Sequence, residues 1–395
     1  MVRAAIAEPP TEIVRARVAV GAVFFVNGLV LASWLPHIPA VKAAHGISDG
    51  QLGLVLLCMA LGAMLALPVA GFLVGRLGSR LMTSTTALAL CAALPLPLLA
   101  PRVEALGLVL VLFGAANATL DVSMNAQAVA VEARWGQAIM SSFHALFSLG
   151  GLAGAALAGV AMAAGVGDVT HVVVTALACV GAVAACLPFL LPSPAAGSPG
   201  PVFARPRGAL LALGVLAFCG LIAEGAMGDR SAVYLHDTLG SSPALASAGF
   251  AACSLAMAAG RFGGDALVRR YGAARVLRAS STVAAIGLVG ALLLGTPASG
   301  VVGFGLVGLG VANVIPILFS AAGRVPGTPP GVGIAAVATT GYFGFLVGPP
   351  VIGMVADVTG LRVALGIVAG LCAYIAAASN ALDVAIGTAD SRAVA

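Results

Sequence analysis

Residues 105–130 read ALGLVLVLFGAANATLDVSMNAQAVA, 26 residues with no proline and a single charge, Asp121. A helix that crosses a bilayer needs about 20 mainly apolar residues, so this run is long enough to span. Counted from its start, Asp121 lies 16 residues in, about 24 Å at ~1.5 Å per residue. An ionisable group in hydrocarbon costs at least about 2.5–3.5 kcal/mol on insertion scales, and the residues that bear this cost mark functional sites by default.

The rest of the chain has the same character. Of 395 residues 61% are hydrophobic and 8% charged, with mean hydropathy +1.10, whereas soluble domains carry about 25% charged residues. Nineteen basic and fourteen acidic side chains cannot cover a water-facing surface of this size, which excludes a soluble enzyme. The net charge of +5 comes from basic residues set one or two at a time between apolar runs, so no nucleic-acid partner is expected. Apolar runs of this length also exclude a barrel, whose strands are about 10 residues of alternating polarity. All seven cysteines fall inside apolar runs and none forms a CxxC pair, so neither a metal nor a cofactor is expected. The GxxxxGK[ST] phosphate loop is absent and Lys42 is the sole lysine, which removes ATP-driven transport by this chain alone.

Twelve apolar runs read as membrane helices, near 17–36, 51–75, 81–100, 105–130, 139–165, 171–191, 209–234, 243–264, 277–295, 299–322, 331–356 and 363–385. The Pro-, Gly- and Ser-rich stretch 192–208 reads as a linker between an N-terminal six-helix bundle, 1–191, and a C-terminal one, 209–395. Fifteen of the nineteen basic residues, Arg261 counted among them, fall in segments on one side, against Lys42, Arg102, Arg230 and Arg362 on the other. By the positive-inside bias both termini and the linker are cytoplasmic. The halves also repeat. Leu73-Val74-Gly75-Arg76-Leu77-Gly78 returns as Leu267-Val268-Arg269-Arg270-Tyr271-Gly272, an offset of 194 that also carries Gly114 to Gly308, Gly150 to Gly344 and Gly154 to Gly348. Parallel six-helix repeats with a solute site between them at mid-membrane are one known transporter architecture.

On these features the sequence resembles the major facilitator superfamily over nearly its whole length. The family's loop between helices 2 and 3, roughly G-x-L-x-D-R-x-G-R-R, is matched by Gly71 to Arg80, with Gly75 at the Asp position. A second, degenerate copy runs through Arg261, Gly264, Asp265, Arg269, Arg270 and Gly272. Helix 4 is similar to that of the fucose–proton symporter group, whose L-E-T-A-x-N is echoed by Leu120-Asp121-Val122-Ser123-Met124-Asn125. The group's F-x-x-G-x-E-x-A in helix 7 is echoed by Phe218 to Ala226, with Glu224 as the acid. The group's further acid near the outer end of helix 1 is replaced here by Ser33-Trp34-Leu35. The Met140 to His144 stretch looks like that of uncharacterised bacterial relatives. The resemblance implies an all-α fold of twelve helices in two pseudo-symmetric bundles. It further implies that Arg76, Arg80, Asp265, Arg269 and Arg270 take part in an inner gate, and that helices 5 and 11, which carry the small-residue pairs, pack against helices 8 and 2 of the opposite half.

Within that frame Asp121 and Glu224 are the candidate proton-coupling acids, one per half, and neither has an acidic mate at the repeat offset (Ile315 and Val30). Asn117, Asp121 and Asn125 share one helix face by their i, i+4, i+8 spacing. Asn27 and Asn313 add amides at similar depth, and amides both donate and accept, which suits hydroxyl-rich or zwitterionic solutes. The plainer alternative for these amides is glue between packed membrane helices. His144 is a candidate cavity or relay residue, and Phe24, Phe147, Tyr342 and Phe345 are candidate stacking surfaces. The expected binding set is therefore Asn27, Asn117, Asn125, His144, Phe147, Asn313 and Tyr342. Together these readings point to a monomeric, multi-pass carrier of the bacterial inner membrane, not an enzyme. Its expected partners are a small polar solute, protons and the lipid bilayer. A drug exporter and a transporter-like sensor are the alternatives.

Overall fold

The computed structural model describes residues 10–192, 207–382 and 385, and among them every regular element is helical. The membrane helices are α1 Thr11–Trp34, α2 Asp49–Leu77, α3 Ser79–Ala93, α4 Val103–Trp135, α5 Met140–Ala163, α6 Asp168–Cys186, α7 Ala209–Val233, α8 Pro243–Tyr271, α9 Ala273–Leu294, α10 Pro297–Val311 with Val314–Ala322, α11 Pro330–Thr359 and α12 Leu361–Ala378. Eleven are long and apolar enough to cross a membrane. The third run departs from its expected single helix. It stops at Ala93 and resumes as Leu96–Leu99, because Pro95 and Pro97 cannot donate the backbone bonds that continuation requires. Other helices outrun their apolar cores, α8 to Tyr271 and α4 to Trp135. Arginines in the last turn complement the negative end of the helix dipole there. Of the expected linker, residues 193–206 lie outside the described residues, as do Arg3, Arg205 and Arg392.

The helices alternate in direction. One face, here the terminus side, carries Pro10, the turns at residues 78, 136–139, 272 and 323–329, and the end of α12; the opposite face is the far side. The most extensive contacts pair α1 with α5 and α2 with α4, and the last six helices repeat them as α7 with α11 and α8 with α10. The repeat holds at single atoms. A Cβ on Gly114 would sit 1.9 Å from the Met59 carbonyl oxygen, and one on Gly308 would sit 2.1 Å from that of Cys253, residues again 194 apart. Only glycine permits that closeness. Gly78 and Gly272 turn their chains with φ of 87° and 84°, a region that residues with a Cβ rarely enter.

Two faces seal the first half to the second, α2 against α11 and α5 against α8. These are the helix contacts that the resemblance implies, but the glycine pairs of α5 and α11 face elsewhere. Gly150 and Gly154 press on the carbonyls of Phe25 and Leu29 in α1, while Gly344 and Gly348 meet Phe218 and Ile222 in α7. Each pair packs inside its own half, in the extensive α1–α5 contact and in its repeat, α7–α11. The surface is apolar too, with Val358, Leu293 and Leu294 more than 70% exposed, as lipid-facing helices require.

Candidate functional site

A cavity of about 210 Å³ lies between the halves and is lined from both. From the first six helices come Phe24, Asn27, Asn117, Asp121, Met124, His144 and Phe147; from the last six, Glu224, Arg261, Ile315, Phe319, Tyr342 and Phe345. Asp121 and its repeat counterpart Ile315 thus line the same space. The i, i+4 spacing read from the sequence holds: Asn117 and Asp121 point inwards, and Asn125, fully buried, sits one layer behind.

Two polar networks meet at this cavity. In the first, the Tyr342 hydroxyl donates to Asp121 Oδ2 at 3.2 Å across the halves, and Asn125 Nδ2 donates to Asp121 Oδ1 at 3.1 Å. Asn125 Oδ1 then accepts from His144 Nε2 at 3.2 Å, so Asn125 supports both titratable groups rather than facing solute itself. His144 is held edge-on by Phe24 and Phe319. In the second network, Arg261 pairs with Glu224 at 3.6 Å and donates to Ser148 Oγ at 2.6 Å, again across the halves. Its Nε donates to the Ala312 carbonyl at 3.3 Å. That carbonyl lacks its usual helical partner because the residue four places on is Pro316, which has no N–H.

Asn27 and Asn117 reach the cavity with their Oδ1 atoms buried and unpartnered. Asn313 does not line it. It sits at the break in α10 and its Nδ2 donates to the Gly260 carbonyl at 3.0 Å, so it is glue between α8 and α10, as Asn125 is between α4 and α5.

Towards the terminus side a second polar layer joins the halves at the start of α5. The first four N–H groups of a helix have no partner within it. Here Ile139 and Met140 donate to Glu132 Oε2 at 2.8 Å each, and Ser141 and Ser142 donate to the two Asp265 oxygens at 2.8 and 2.9 Å. Glu132 Oε1 also accepts from Ser320 and Arg324 of the other half, and Arg269 donates to the Ala138 carbonyl at 2.9 Å. The remaining arginines expected at a gate lie elsewhere. Arg80 donates to the Leu187 and Pro188 carbonyls of its own half at 3.4 Å, while Arg76 and Arg270 are exposed.

Sequence reasoning missed two charges. Arg261, read above as a residue of a terminus-side segment, is 6% exposed and lines the cavity. Glu132, 2% exposed, received no role although it is as unexpected near an apolar run as Asp121.

Twelve alternating helices in two matching sets, closed over a central polar cavity, define a membrane transporter by architecture. The comparisons agree. The Major Facilitator Superfamily profile matches residues 20–349. An uncharacterised MFS-type transporter of Yersinia pestis is 40% identical over 359 residues, 91% of this chain and 94% of that protein. The membrane protein MosC of Rhizobium meliloti is 38% identical over 369 residues, 92% and 89% of the two chains. Among solved structures, the fucose:proton symporter FucP of Escherichia coli superposes with a TM-score of 0.74 at 18% identity, covering 92% of this chain and 98% of its own. The chain belongs to the major facilitator superfamily, whose members are multi-pass membrane transporters rather than enzymes. The resemblance drawn from the loop and helix motifs is thereby borne out.

Proposed function

We propose that the chain is a proton-coupled secondary transporter of the bacterial inner membrane, and that a small polar solute binds in the central cavity while the halves rock to expose it to either side. The observation that carries this reading is the environment of Asp121, a buried carboxylate facing a cavity shared by both halves with only neutral partners, Tyr342 and Asn125. With no cation bonded to it, the charge of Asp121 is neutralised in hydrocarbon by a proton or by a cationic ligand. Access of water from alternate sides then lets the proton enter on one side and leave on the other. Glu224 differs, because Arg261 already balances it, and it serves as a partner that retunes Arg261 as the halves move. The likeness to a symporter that moves protons supports the coupling.

The terminus side is read as cytoplasmic. With Arg261 removed from the count, eleven basic residues among the described ones still fall on that side, against four on the other. The bonds of Glu132, Asp265 and Arg269 to the start of α5 and to α10 form the gate that inward opening must break.

Proteoliposomes with an imposed pH difference test the reading, screened over sugars, amino acids and common drugs. The wild type accumulates its solute against a gradient, and Asp121→Asn does not. Accumulation by Asp121→Asn equal to that of the wild type removes the coupling role from Asp121.

A further inference from the structure

The cavity is short of donors. Asp121 and Glu224 bring two carboxylates against one guanidinium, and Asn27 and Asn117 add carbonyl oxygens that are buried with no donor. Unmade hydrogen bonds of buried groups are costly, and they persist where a ligand supplies the partner. Most of the donors at the cavity are engaged: Tyr342 on Asp121, His144 on Asn125, Asn27 Nδ2 on the Met124 sulfur, and Arg261 on Ser148, Ala312 and Glu224. Aromatic rings of Phe24, Phe147 and Phe319 complete the lining, and ring faces attract ammonium groups.

Resting on the carrier reading above, we propose that the solute is a small hydroxylated primary amine, bound as the ammonium with Asp121 as its counter-ion and with Asn27 and Asn117 accepting from its N–H and O–H groups. A neutral sugar supplies hydroxyl donors but no charge, and leaves Asp121 to be balanced by a proton alone. An organic anion adds a third negative group to a cavity with one cation. The ammonium and the proton then compete for one carboxylate, so coupling is exchange of one proton for one amine. Asp121, Glu224, Arg261, His144 and Tyr342 are the titratable and charged groups that line the cavity, and of the ionised ones only Asp121 has no bonded counter-charge.

The test compares matched pairs that differ only in amine against hydroxyl: glucosamine with glucose, galactosamine with galactose, tyramine with 4-hydroxyphenethyl alcohol. Binding to the purified full chain in detergent is read as a rise in Tm. At least one amine raises Tm by several degrees at pH 8 where its twin does not. For that amine the wild-type apparent Kd rises about tenfold per pH unit on the acid side, as one-proton competition demands, a readout that needs no variant. Asp121→Asn, checked for intact folding by size-exclusion elution, abolishes the shift. A twin that stabilises as much as its amine, an amine shift that survives Asp121→Asn, or a set in which no amine moves Tm overturns the proposal. Binding is read here without transport. A protein that holds amines but moves no protons in liposomes retires the carrier reading alone, and one that moves protons with a neutral sugar retires this one alone.

Discussion

At Arg261 one guanidinium ties together α7, through Glu224, α5, through Ser148, and the broken α10, through the Ala312 carbonyl. Removing one member of a fully buried ion pair costs about 3–5 kcal/mol, because the other is left uncompensated. The Glu224 side chain is 30% exposed, so solvent screening brings the expected coupling down to about 1 kcal/mol. A double-mutant cycle of Arg261→Ala and Glu224→Ala, read by denaturant unfolding in detergent, should show the double variant less destabilised than the sum of the singles by that amount. Strict additivity would mean that the pair carries no energy. The same residue shows where the sequence could be read and where it could not. Asp121 stood out as a lone charge in a long apolar run, and that criterion applies equally to Arg261. The surrounding Gly260-Arg261-Phe262-Gly263-Gly264-Asp265 has the small and charged residues of a loop, and in water glycine pairs do end helices. In lipid they let helices approach instead, so α8 continues ten residues past Arg261 and draws it into the cavity.

Among the elements, periodicity is mute about orientation. A membrane helix is apolar towards lipid and towards its neighbours alike, so only polar and small residues reveal which face meets what. The polar face of α4 was therefore legible, and the glycine pairs were recognisable as contact surfaces while their partners were not. Gly150 lies against the α1 backbone, where a Cβ would stand 1.9 Å from the Phe25 carbonyl oxygen, whereas a Cβ on Gly159 meets nothing within 4 Å. Gly150→Ala must push α1 and α5 apart and is expected to destabilise by about 1–3 kcal/mol, the usual cost of overpacking. Gly159→Ala adds only helix propensity, worth up to about 1 kcal/mol in favour. Thermal unfolding of the two variants beside the wild type checks this, and equal melting temperatures would place the α1–α5 contact elsewhere.

For the whole molecule, the hydrogen bonds that join the halves run from the central cavity to the terminus side. The outermost cluster is the double cap on α5, with Glu132 from its own half and Asp265 from the other. The resemblance made Asp265 legible as a residue of interest. Its partner, the N-terminus of α5, was not, because orphan backbone donors leave no mark in a sequence. Hydrogen bonds to a charged group contribute about 1.5–3 kcal/mol each, and each ~1.4 kcal/mol is a factor of ten in an equilibrium. Neutralising both caps with Glu132→Gln and Asp265→Asn should therefore raise the terminus-side-open population about tenfold or more. Val129 reports on that opening. It is 4% exposed and packed across the halves against Gly323, so a cysteine placed there is shielded while the gate is shut. In a background with the seven native cysteines replaced, Val129→Cys should react slowly with a membrane-impermeant thiol reagent applied from the terminus side. With both caps neutralised it should react about tenfold faster, and Arg76→Gln, a change at an exposed arginine with no part in the caps, should leave the rate as it was. An unchanged rate in the doubly neutralised protein would show that apolar packing of α2 on α11 and α5 on α8 holds the terminus side shut without help from the carboxylates. The energy that opens it would then have to come from the solute contacts in the cavity.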